Sequence, residues 1–252
     1  MIVTSFYDHF KMMAQHDHAL VSGELASQWS SSIFEGTVYR NEVEYAVSQH
    51  DCAWIPLDRE PLWNKEKGQP HSFIDFPLQP KVEHYEQGIN QVEDHSEYAA
   101  LLCSLHYTSF FDRNSLDPTI SNFISREMSR QNQIKKILKA QVPEKYIDFH
   151  FHLLQFCDDL SLYMFLNEPG TSKEEETPMF KEGFRQRFNG ITGEIKAKWL
   201  DEQSVAVTPN PFANPFKVEI AYKQVSKIDI KQRGLQQAYD LSPFKLREVF
   251  IV

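Results

Sequence analysis

Cysteine is scarce in this chain and odd in number. Cys52, Cys103 and Cys157 stand far apart in 252 residues and form no CxxC pair. That excludes a disulfide framework and a thiolate zinc knuckle, and leaves the three as buried small side chains. Positive charge is also short: 26 Lys and Arg stand against 35 Asp and Glu, a formal net charge of -9. Such a balance argues against general nucleic-acid binding or an anionic membrane surface, because both need clustered cations. No apolar run approaches the roughly 20 residues of a membrane span. The start, MIVTSFYDHFKMMAQHDHA, lacks the basic-then-apolar order of a secretory signal. A cytoplasmic protein without membrane contact is the expectation. The common enzyme loops are missing too: no GxGxxG, GxxxxGK, GxSxG or HExxH occurs, which removes dinucleotide, P-loop, nucleophile-elbow and zincin readings.

What the chain does have is a sparse His/Asp series: His18, the doublet His50-Asp51, His106 and Asp158. Each falls in or at the end of a stretch that reads as helix. Residues 2 to 15 carry β-branched and aromatic residues on either side of Tyr7-Asp8, which predicts a hairpin. Asp17 stands as the N-cap of a helix whose inward face is His18, Val21, Leu25 and Trp29. Asn41 caps NEVEYAVSQHD, where Val43, Ala46, Val47 and His50 share a face. Five prolines, at 56, 61, 70, 77 and 80, keep the next segment irregular, a wall or lid for a site. A helix over about 94–108 brings His106 inward beside Tyr98, Leu101 and Leu102. Asp117-Pro118 opens another helix, running to residue 138, and Pro143 opens a last one, apolar nearly all round, with Asp158 and Asp159 in its middle. A carboxylate in such a helix costs several kcal/mol unless it is paired, hydrogen-bonded or metal-bound. Beyond the charged GTSKEEETP stretch, SVAVTP, FKVEIAYKQV and LREVFIV alternate like strands. The fold expected is mainly α: a helical bundle with a small antiparallel sheet from the C-terminal region, joined or not by the N-terminal hairpin. Residues 1–168 form the helical domain, and 169–252 an extension packed on it that either mediates a homodimer or simply covers the bundle.

The ligand order resembles the HD-domain superfamily. HALVSGELA is similar to its first ligand helix, AVSQHD to the helix ending in the doublet, and FCDDLSLYM to its late A-D-x-L-S segment, a match that selects Asp158 over Asp159. More narrowly, QHDHALVSGELASQW, HDCAW followed by PLDREPL, GQPHSF, LLCSLH and PNPFANPF resemble an uncharacterised bacterial family with HD-like motifs, known only as a domain of unknown function. The resemblance implies a bundle holding one or two divalent transition-metal ions, with Zn, Mn, Ni and Fe all suited to imidazole and carboxylate. One departure stands out. HD phosphohydrolases often carry Gly and then Lys shortly after the doublet, where this chain has Cys52, Ala53 and Trp54.

On that reading His18, His50 and Asp158 are terminal metal ligands, Asp51 is a ligand or a bridge, and His106 binds a second ion or the substrate anion. Asp51 and His106 are the candidate catalytic groups, Asp51 by orienting a water or taking its proton. Asp58 and His71 in the proline-rich segment, and Arg130 on the helix after His106, are candidate substrate-binding residues, Arg through paired donors to a phosphate. His150 and His152 differ by two positions, so at most one faces the site. Three functions follow for a small-molecule substrate or ligand: a metal-dependent hydrolase of a small phosphorylated or nucleotide-like compound, an HD-type di-iron oxygenase, or a binding protein without turnover.

Overall fold

The computed structural model describes residues 1–138 and 142–252. The predicted N-terminal hairpin is there: β1 (Ile2–Ser5) pairs antiparallel with β2 (His9–Met13). Helix α1 (Gln15–Gln28) begins earlier than the sequence suggests, with Ala14 at its N-cap, so Asp17 lies in the first turn. A carboxylate there still favours the helix through its dipole. Helix α2 (Arg40–Gln49) ends at His50. A 3-10 turn (Cys52–Trp54) follows and runs into the short helix α3 (Ile55–Arg59), with Pro56 in its first turn, where no amide partner is lost.

The proline-rich segment is therefore less irregular than expected. It holds α3, a two-stranded ladder of β3 (Trp63–Asn64) and β4 (Gln69–Pro70), and the start of α4 (Leu78–Glu93). Pro77 caps α4 and Pro80 sits in its first turn. Then come α5 (Glu97–Thr108), whose cap Ser96 accepts a bond from the Ala99 amide, α6 (Pro118–Leu138) and α7 (Glu144–Leu166).

Helices α1, α2, α5 and α7 pack on one another, and each supplies a residue of the His/Asp series. Two glycines set how closely they meet. A Cβ on Gly23 would stand 2.7 Å from Ser48 Cβ, and one on Gly88 would stand 2.7 Å from Ala53 Cβ. Contacts that short do not occur between real side chains, so α1 lies directly on α2, and α4 on the turn after Asp51.

The sheet is larger than the sequence suggests, and mixed. Its order is β1-β2-β7-β8-β6-β5, with β5 (Lys196–Trp199), β6 (Ser204–Thr208), β7 (Phe216–Ser226) and β8 (Phe244–Ile251). The hairpin does join the sheet, β2 pairing with β7, one of the two arrangements the sequence left open. The expectation that the sheet is wholly antiparallel fails, because β8 returns to lie parallel to β6 after two helices absent from the sequence reading, α8 (Lys227–Arg233) and α9 (Leu235–Leu241). Alternation along a strand reveals its faces and says nothing of its neighbours. Strand β2 shows the two faces at work. Met13 joins the main apolar cluster, which runs from Trp54 and Tyr107 to Val205 and Val249, while Phe10 and Met12 join a smaller cluster with Leu235 and Tyr239. Among the described residues no helix is long and apolar enough to cross a membrane.

Candidate metal centre

His18 and His50 are wholly buried, and Asp51, His106 and Asp158 nearly so. Helix α2 stops at His50, and Asp51 has left helical geometry with φ -116° and ψ 22°, so two neighbours in sequence aim at one point. His18 Nε2 lies 3.1 Å from Asp51 Oδ2 and 3.5 Å from Asp158 Oδ1, while His50 Nε2 lies 3.5 Å from Asp158 Oδ1 and 3.9 Å from Asp51 Oδ2. His106 Nε2 lies 3.6 Å from Asp158 Oδ2. Ligands held 2.0–2.2 Å from a tetrahedral ion stand roughly 3.3–3.6 Å apart, and these separations, 3.1 to 3.9 Å, lie around that range. Two overlapping sets form, His18/His50/Asp51 and His50/His106/Asp158, with the ligand atoms of each within 4.8 Å of one another.

The surrounding bonds turn the imidazoles the right way. The Ser161 hydroxyl donates to the His18 carbonyl at 2.9 Å, so its oxygen is free to accept from His18 Nδ1–H at 3.2 Å. His50 Nδ1–H donates to the Val47 carbonyl at 2.6 Å. Both rings thus keep their Nδ1 proton and direct Nε2 into the cluster, the arrangement that prepares a histidine for a metal. His50 Nε2 has no hydrogen-bond partner, and neither has His106 Nδ1.

Charge adds to the same picture. Burial works against a charged His50, but Asp51 and Asp158 outweigh it and push its pKa up to about 9. Burial likewise opposes ionisation of Asp51 and Asp158, yet the imidazoles around them hold both below the usual carboxylate range. For His106 burial wins, and its pKa falls to about 4. Two buried carboxylates therefore call for a cation, which is either a proton on His50 or an ion among the Nε2 atoms.

A cavity of about 220 Å³ opens over Asp51, His106 and Asp158. Its walls are Trp54, Phe73, Ile74, Tyr85, Phe110, Phe111 and Leu162, with Gln15 and Lys81 as further polar groups. The Phe110 ring stands edge-on to His106 at 4.7 Å. Gln15 and Lys81 were not singled out from the sequence. Lys81 precedes the buried row Val82, Tyr85, Ile89 of α4, whose helical spacing is legible; nothing in the sequence marks Gln15.

The three candidate substrate residues lie elsewhere. Asp58 is buried with its oxygens engaged, Oδ1 at 2.5 Å from the Met1 amino group and Oδ2 accepting the Gln15 amide at 2.5 Å. It fastens the hairpin to α1 and does not line the cavity. His71 donates through Nδ1 to the Asp75 carbonyl at 2.9 Å and stands against Phe76. Arg130 spends its donors on Glu93, Glu127 and Asn90, in a groove between α4 and α6. Neither His150 nor His152 reaches the cluster: His150 sits between Tyr98 and the Glu35 carbonyl, and His152 faces a separate open groove. Asp159 turns to Gln186 Nε2 at 2.8 Å, leaving Asp158 in the cluster.

The fold and the cluster define a helical protein, backed by a mixed sheet, whose buried His/Asp groups could hold a metal ion. Residues 1–227 match the family described as "Protein of unknown function (DUF3891)", and the chain belongs to it. No curated protein and no solved structure matches the chain.

Proposed function

We propose that this protein is a metal-dependent hydrolase of a small phosphorylated substrate, built on an HD-type arrangement of helices. The observation that carries the reading is the convergence of three Nε2 atoms and two carboxylates, from four helices, on one buried point. His18, His50 and Asp158 would hold the ion together with Asp51, and His106 would offer an alternative ligand set with His50 and Asp158. Bound there, a divalent ion would supply Lewis-acid polarisation of a phosphoryl oxygen and lower the pKa of a water.

The remaining work falls to the side chains. Asp51 reaches both the cluster and the cavity and is held ionised, so its carboxylate is placed to orient a water and take its proton. His106 is neutral near pH 7 and offers a lone pair where a protonated imidazole would repel the ion. The apolar walls exclude bulk water, which strengthens every charge interaction inside. Lys81 lines the same cavity and offers it a cation.

The test is elemental analysis of protein purified without chelator, followed by anaerobic turnover of p-nitrophenyl phosphate with Zn or Mn. Stoichiometric metal and phosphate release, both lost in His50→Ala, support the reading. A protein that neither retains nor takes up Zn, Mn, Ni or Fe sinks it.

The presence of two carboxylates, Asp51 and Asp158, each with two oxygens that could bridge a pair of ions, favours a second reading, a di-iron oxygenase, with His50, its Nδ1–H given to Val47, on one ion only. Iron as the resident metal, with absorption that changes on admitting oxygen, would place that reading first. A ligand retained unchanged, without turnover, would leave a binding protein.

A further inference from the structure

The cavity above the metal centre has a composition that restricts what can enter it. Its charged and amide groups are few: Asp51, His106 and Asp158 of the cluster, with Gln15 and Lys81; the Tyr85 hydroxyl and the Trp54 indole N–H are the polar atoms of its aromatic walls. Gln15 is 4% exposed and its side-chain amide is unspent within the protein, Oε1 having no hydrogen-bond partner, so its Nε2–H2 can donate to an anion while Oε1 can accept from a donor. Lys81 is half-buried and its ammonium makes only a long bond, 3.5 Å, to the Phe73 carbonyl, which leaves it able to meet an anion. Every other lining side chain is apolar or aromatic. Trp54, Tyr85, Phe110 and Phe111 offer ring faces and edges, and Ile74 and Phe110, 71% and 50% exposed, form the rim.

We infer that the substrate is a compact aryl ester of a phosphorus oxyanion, its tetrahedral head between Lys81, Gln15 and the metal centre and one planar ring against Trp54, Tyr85 and Phe110. The inference rests on the metal-centre reading above and narrows it. About 220 Å³ equals roughly seven waters at their share of the liquid, room for one ring and one tetrahedral head. A nucleoside monophosphate asks for more. Its sugar hydroxyls and base edges need several hydrogen-bonding partners, and beyond Gln15 and Lys81 the walls offer only the Tyr85 hydroxyl and the Trp54 indole N–H, too few for all of them, so the rest would lose water without replacement. A ring without polar edges loses nothing there and gains edge and face contacts.

The test is calorimetric binding to the metal-loaded protein, metal content measured on the same sample. The probes are phenylphosphonate, methylphosphonate and adenosine 5′-monophosphate, the phosphonates being inert stand-ins for the ester. Phenylphosphonate is expected to bind at least tenfold tighter than either of the others. Lys81→Met should weaken both phosphonates at least fivefold without changing metal content. Phe110→Ala, at the half-exposed rim where folding is safe, should weaken phenylphosphonate and leave methylphosphonate unchanged. Equal binding of the two phosphonates, or tighter binding of the nucleotide, by protein that carries its metal overturns the inference and leaves the hydrolase reading in place. Protein that takes up no metal overturns the hydrolase reading itself.

Discussion

Helix α7 carries two buried histidine neighbourhoods, two turns apart, that are built on different terms. At His150 every ring nitrogen is answered: the Tyr98 hydroxyl donates to Nδ1 at 2.5 Å and Nε2–H donates to the Glu35 carbonyl at 2.7 Å. Burial pushes its pKa down to about 4, outweighing the Glu35 carbonyl and the Glu35 charge, which act the other way. Around Asp158 the polar groups are in surplus, with two buried carboxylates, three inward Nε2 atoms and one of those without any partner. Tyr163, a turn and a half further on, repeats the first pattern: its hydroxyl donates to Glu176 and accepts from the Trp199 amide, and Lys173 closes the pair. Single unpartnered atoms, such as Trp29 Nε1 and Trp199 Nε1, occur elsewhere in the core, but around Asp158 an unpartnered nitrogen coincides with two buried carboxylates and two further imidazoles. That concentration of unspent polar groups, rather than the presence of histidine, is what marks a site.

The largest effect that would break this contrast is loss of metal. His50→Ala or Asp158→Asn is expected to abolish stoichiometric retention, read by elemental analysis, while His150→Ala keeps the full complement. Retention by the first two and loss by the third would reverse the assignment. His150→Ala should instead appear in thermal or denaturant unfolding, at about 3 kcal/mol, since it opens a cavity and strands both Tyr98 and the Glu35 carbonyl. Next comes Ser161→Ala. It removes the acceptor that fixes the His18 ring and should weaken metal affinity by about 10–100-fold, measured by chelator competition, with the fold intact. Tyr98→Phe is smaller, about 1 kcal/mol of stability with no change in metal.

The pH dependence sharpens the contrast in sign. A His50 pKa raised to about 9 stabilises the metal-free protein fully below the unfolded value near 6.5, and that contribution fades as pH climbs through 9. His150, with its pKa lowered, contributes in the opposite sense and loses ground as pH falls below 6.5. Unfolding curves of metal-free protein between pH 6 and 9 should therefore decline toward the alkaline end, and those of the loaded protein should not, because the ion has displaced the proton.

How much of this could be read from the sequence depends on the range over which each feature is fixed. The inward faces of α1, α2 and α5 follow from local periodicity, so the burial of His18, His50 and His106 was legible residue by residue; α7, apolar nearly all round, shows no face, and only the resemblance to the HD segment separates Asp158 from Asp159. Helix α4 was legible too, in Val82, Tyr85, Ile89 and Val92, but the prolines before it drew the reading toward a loop. Proline in a first turn opens a helix as readily as it ends one. The cavity lining was not legible. Lys81 and Gln15 line one cavity because α4 packs on α5 and on the turn after Asp51, which in turn packs on α1, and no local pattern encodes that meeting. Asp58 and Arg130 looked like substrate contacts because charge is visible in sequence while the groups that consume it, a backbone amide and Glu93, are not.

The missing side chain at Gly23 acts as a ruler. With Ser48 Cβ only 2.7 Å from where its Cβ would be, the gap between α1 and α2 is set by a hydrogen atom, and His18 and His50 ride on those two helices on either side of it. Ligand spacing is thereby written into the backbone contact, far from any ligand. Alanine at that position would push the helices apart and change which ion the centre prefers without altering a single donor atom.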